Sequence, residues 1–148
     1  MTAELLRLAE RCEKETAGSR ELDGLIACAI FQAVSTDDDL IYRSPICKAD
    51  ECAPGTYWHV QRSGRSLQTA PKFTESLDAA VSSIPGGYDW SLFFDNGAAL
   101  AGCQPASDDG CDMTDTPGAT PALALTAAAL KARALASRDD GHQETAHD

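Results

Sequence analysis

The stretch from Phe73 to Phe94 constrains the fold of this chain more than any other. Leu77, Ala80, Val81 and Ile84 recur at i, i+3, i+4 and i+7, the spacing of one helix face. Pro85-Gly86-Gly87 ends that helix, and a strand period follows at once. Tyr88, Trp90, Leu92 and Phe94 point one way, while Asp89, Ser91 and Asp95 point the other with Phe93 among them. Asp95-Asn96-Gly97 favours the positive φ of a tight hairpin, so Ala98 to Cys103 is expected to return as a second strand. Helix and sheet thus meet within one short segment, and an α+β domain is expected.

The last helix is equally well marked. Thr120 stands where a cap is needed and Pro121 at the first helical position, ahead of an alanine-rich run from Ala122 to Ala136. Apolar residues lie on most of its sides, so it is expected to be the most enclosed helix. Residues 3–16 predict a first helix on Leu5, Leu8, Ala9 and Cys12, with Gly18 as its stop. Ser19 caps a second, whose stripe is Leu22, Leu25, Ile26, Ala29, Ile30 and Ala33; Glu21 and Asp23 sit in its first turn. Thr74 is expected to cap the third helix. Tyr57 to Gln61 reads as a short strand, Ser63-Gly64 as a turn and Ser66 to Gln68 as an edge strand.

Residues 1–136 are therefore expected to form one domain, with loops at about 35–56 and 104–118 and a disordered acidic tail at 137–148. The expected core unites Leu22, Ile26, Ile30, Leu77, Val81, Ile84, Trp90, Leu92, Leu123 and Leu130. A chain of 148 residues needs neither metal nor disulfide to bury such a core.

The net charge of −11 argues against direct nucleic-acid binding, which requires clustered Lys and Arg. The sequence starts straight into an amphipathic pattern and contains no apolar run of membrane-spanning length, so a cytoplasmic protein without membrane contact is expected. Six cysteines, Cys12, Cys28, Cys47, Cys52, Cys103 and Cys111, are then reduced thiols. Their spacings match a zinc site poorly, and Asp37-Asp38-Asp39 lacks the alternating ligands of a calcium loop. No metal or cofactor is expected.

Three blocks resemble the bacteriophage ABA-sandwich domain, a family of small phage and prophage proteins. They are Arg20-Glu21-Leu22-Asp23, Phe73 to Ala80 leading to Ile84-Pro85-Gly86-Gly87, and Ala119 to Leu125, with Trp90 added. Together they cover roughly residues 19–34 and 71–136. The resemblance implies about four helices in a helix–sheet–helix (α/β/α) sandwich around a small, mostly antiparallel sheet. It implies no reaction and supplies no catalytic residues. The 35–56 loop and the cysteines depart from the family pattern.

The function expected on these grounds is that of a phage- or prophage-derived, non-catalytic binding or accessory protein. No nucleophile elbow, Walker loop or dinucleotide fingerprint is present, and no catalytic residue is assigned. A zinc or cysteine enzyme, for example through Cys103 and His59, is one alternative. An acidic inhibitor or DNA mimic that occupies a host protein is another. The stretch from His59 to Lys72 carries Arg62, Arg65 and Lys72 and no acid. Tyr57, Trp58, His59, Arg62 and Arg65 are accordingly the candidate site for a small anionic, nucleotide-like ligand, with arginine as clamp and an aromatic ring as stacking surface. A solvated edge strand explains the same residues.

Overall fold

The computed structural model describes residues 2–34, 40–42, 54–61, 63–106 and 115–146. Four helices and six strands follow in the order α1 (Thr2–Lys14), α2 (Arg20–Val34), β1 (Leu40–Tyr42), β2 (Thr56–Gln61), β3 (Gly64–Thr69), α3 (Leu77–Ser82), β4 (Tyr88–Asp95), β5 (Ala98–Pro105), β6 (Thr116–Gly118) and α4 (Pro121–Ala146). This is the expected α+β class, with antiparallel strands throughout. The strands divide into two three-stranded sheets, β1-β2-β3 and β4-β5-β6. We call them sheet A and sheet B.

Local signals place most elements. In α1, Leu5, Leu8, Ala9 and Cys12 are the buried stripe. In α2, the Leu22 amide donates to Ser19 Oγ at 3.2 Å, which makes Ser19 the cap. In α4, the Leu123 amide does the same to Thr120 Oγ1 at 3.2 Å, one residue ahead of Pro121. The β4–β5 hairpin closes at the Asp95–Ala98 pair, with Asn96 at φ 53° and Gly97 at φ 84°. Those are the left-handed values a two-residue turn demands.

Several expectations need correction. The cap of α3 is Ser76, whose hydroxyl accepts from the Ala79 amide, and Thr74 is buried elsewhere. Gly18 has no left-handed φ; it is small because a Cβ there would lie 2.9 Å from the Thr74 carbonyl oxygen. Leu40–Tyr42 forms β1 inside the expected 35–56 loop, and Thr116–Gly118 forms β6 inside the expected 104–118 loop. Three residues are too few to display a period. Residues 137–146 continue α4 where an unpatterned tail was expected.

Two buried clusters flank α4. Leu123, Ala127, Leu130 and Ala134 join Leu5, Leu8, Leu22, Ile26, Ile30 and Phe73 on one side. Ala122, Ala124, Leu125 and Ala128 join Ala80, Ala99 and Ala101 on the other, with Val81, Ile84 and Leu92 packed against them. Every residue from Ala122 to Leu130 is buried, as the all-round apolar pattern predicts. α2 packs on sheet A through β1 and β2, α4 packs on sheet B through β5 and β6, and α1 joins the two helices. Two expected core members are exposed: Leu77, at 39%, begins α3, and Trp90, at 41%, belongs to β4, outside the strands on which α4 packs.

Candidate functional site

Four of the five residues first singled out for an anionic ligand, Tyr57, Trp58, His59 and Arg65, lie in strands of sheet A. Arg62 lies outside the described residues. Arg65 enters β3 at the register opposite Val60. Strand alternation puts Tyr57 and His59 on one face of β2 and Trp58 on the other. Tyr57 is half-buried against the first core cluster, its ring 5.4 Å from that of Phe31. Burial pushes its phenol pKa up, and Cys28, once ionised to the thiolate, adds to the effect. Tyr57 thus packs against the core, and it and Trp58 lie on opposite faces of β2.

The cysteine–histidine alternative fares no better geometrically. His59 lies in β2 and Cys103 in β5, strands of different sheets. Burial pushes the Cys103 thiol up to about 11 and the Cys12 thiol up to about 12, so both are protonated at neutral pH and neither is an activated nucleophile. Among the described residues no three His, Cys, Asp or Glu side chains group as a metal site. Cys47, Cys52, Cys111 and the three consecutive aspartates lie outside the described residues.

The most connected polar cluster is a structural latch. Asp23, fully buried, takes the Thr74 amide at 2.9 Å and the Thr74 hydroxyl at 2.7 Å on Oδ1. Its Oδ2 receives Arg20 Nη1 at 2.8 Å. Arg20 also donates to the Ala70 carbonyl at 2.9 Å and the Gly55 carbonyl at 3.3 Å. The Ser19 amide donates to Thr74 Oγ1 at 2.8 Å, and Thr126 Oγ1 to the Phe73 carbonyl at 2.8 Å. These bonds tie the start of α2, the segment before α3 and the first turns of α4.

The most exposed strand of sheet B is β4. Strand register places Trp90, Leu92 and Phe94 on the same face as Cys103, Ala101 and Ala99 of β5, the face that α4 covers. Leu92 reaches the buried cluster; Trp90 remains 41% and Phe94 65% exposed. Phe93, on the opposite face, is 41% exposed. The closing Asp95–Ala98 pair of a two-residue hairpin exchanges both backbone bonds, and the Ala106 amide still donates to the Gly87 carbonyl at 2.9 Å at the far end. Odd-numbered residues of β4 therefore bond to β5. The N–H and C=O groups of Trp90, Leu92 and Phe94 face away from β5, and among the described residues no strand pairs with that edge.

Charge marks the same region. Residues 73–130 contain eight Asp or Glu and no Lys, Arg or His. Asp89 and Asp95, both exposed, stand near the two ends of β4. No protein-family model, curated protein or solved structure matches this chain. Sequence reasoning missed the edge because it assigned Trp90 to the core. The missing cations in 73–130 and an eight-residue aromatic-rich strand without Pro or Lys were the available signals.

Proposed function

We propose that the protein is a non-catalytic binding protein, phage- or prophage-derived, that acts in the host cytosol by occupying a protein partner through sheet B. One observation carries this: among the described residues Trp90, Phe93 and Phe94, three aromatic residues of one strand, are all exposed, whereas the other exposed large apolar residues, Leu6, Leu67, Leu77 and Leu135, are scattered over four elements. Solvent-exposed aromatic rings on one strand are costly to solubility and mark interaction surfaces. Supporting the non-catalytic part, the buried polar groups of the latch are engaged with one another, and the thiols of Cys12 and Cys103 are held protonated.

Photo-crosslinking tests this reading. A photoreactive phenylalanine at position 94 is expected to give one discrete adduct in host cells. The same group at position 67, an exposed leucine in β3 of sheet A, is expected to give none. Equal adducts at both positions, or adducts only at 67, would move the site to sheet A or remove it.

A further inference from the structure

We propose that the open edge of β4 accepts an extended, basic segment of the partner protein as a fourth strand of sheet B. This deepens the assignment of binding to sheet B and rests on it. The mode follows from the backbone. Outward N–H and C=O groups at Trp90, Leu92 and Phe94 alternate along the edge at the spacing an added strand requires, and added-strand complexes take their affinity from such groups.

Comparison of the four sheet edges supports the choice. β1 and β6 are three residues each, and β6 carries Pro117. β3 includes Arg65 in its sequence. Each of these is a recognised way of discouraging edge pairing. β4 is eight residues long without Pro, Lys or Arg, its ladder with β5 runs unbroken through eight pairs without a bulge, and its charged residues, Asp89 and Asp95, leave Trp90 to Phe94 between them uncharged. An edge left open beside exposed aromatic rings is suited to pairing.

Charge decides what pairs. Asp89 and Asp95, the charged residues of β4, oppose a second copy of the same edge and favour a segment carrying Lys or Arg, and the sequence from 73 to 130 supplies no cation to offset them. The first cation beyond that span is engaged internally. Lys131 Nζ lies 3.2 Å from Glu13 Oε1 and 3.4 Å from Thr116 Oγ1. Arg133, in the next turn, donates from Nε to the Ser83 carbonyl at 2.7 Å. Specificity would come from alternate apolar side chains of the segment lying beside Trp90 and Phe94, with its basic residues near Asp89 and Asp95.

The test is selection of a displayed random-peptide library on the protein, counter-selected on Trp90→Pro. The Trp90 N–H points away from β5, so proline there blocks the edge without removing a ladder bond. Should that variant fail to fold, Phe94→Lys, at the most exposed of these positions, serves instead. Expected are peptides with alternating apolar positions and Lys or Arg, whose binding falls roughly tenfold between low and high salt. Their binding is expected to slow amide exchange at Trp90, Leu92 and Phe94. Enrichment that survives the edge block, peptides without basic residues, or binding without protection of those amides would overturn the proposal. So would failure to enrich any peptide. Concentration-dependent dimerisation that protects the β4 amides would overturn it in favour of a second copy. Failure of the peptides with persistent crosslinking at position 94 would remove strand addition alone; loss of both would remove the binding surface as well.

Discussion

Asp23 and Thr74 show why a polar residue in this chain is not automatically a site. Asp23 is fully buried, yet both of its oxygens have partners, and the Thr74 amide and hydroxyl depend on it. Asp23→Ala strands the Thr74 amide, leaves the Thr74 hydroxyl the Ser19 carbonyl at 3.2 Å and removes the counter-ion of Arg20, so a loss of about 3–5 kcal/mol is expected in urea unfolding. Asp23→Asn keeps an acceptor for Thr74 and is expected to lose less. Equal losses would show that the carboxylate's charge, rather than its acceptor oxygen, holds the latch. Cys12 makes a second prediction. Its thiol is raised from the ordinary 9.0 to about 12 by burial, so the unfolded chain releases this proton first. The neutral thiol's contribution is complete below pH 9 and is lost as pH rises towards 12. Stability should fall by about 1.4 kcal/mol per pH unit from this group across that window. A Cys12→Ala variant should show a shallower alkaline limb, and an unchanged limb would contradict the assignment.

At the scale of elements, legibility in the sequence depended on length and capping. α1, α2 and α4 carry a stripe or a Ser or Thr cap, and the hairpin carries Asn-Gly, so each was visible. β1 and β6 were not, because three residues show no period and their pairing is set by neighbours distant in sequence. β4 was read correctly as a strand with the right alternation, but its burial was not, since alternation says which residues share a face and nothing about whether a helix covers it. The anionic-ligand cluster was assembled from neighbours in sequence, and strand alternation separates Tyr57 from Trp58. The closeness of α4 to β6 yields a prediction here. A Cβ at Gly118 would lie 2.4 Å from the Ala124 backbone nitrogen. Gly118→Ala should therefore destabilise by about 1–3 kcal/mol through overpacking. A neutral result would mean that β6 does not press on α4 as described.

Across the whole molecule, α4 decides which strands of sheet B are covered. It serves both buried clusters and shields β5 and β6, while of β4 Leu92 packs against the cluster and Trp90 and Phe94 stay exposed. Among the described residues no helix is long and apolar enough to cross a membrane, so a bilayer-spanning helix does not account for the exposed rings. Phe94, at 65% exposure, should be dispensable for folding: Phe94→Ser is expected to change stability by no more than about 0.5 kcal/mol while removing the crosslinkable contact. A loss as large as that expected for buried Phe73→Ala, about 3–5 kcal/mol, would place Phe94 in the core instead. The most direct measurement is residue-resolved amide hydrogen exchange across β4 in the free, dilute protein. Phe93 and Asp95, bonded to β5, should be protected, and Trp90, Leu92 and Phe94 should exchange quickly. Uniform protection along the strand would mean that the edge is already covered, and the binding surface described here would not exist.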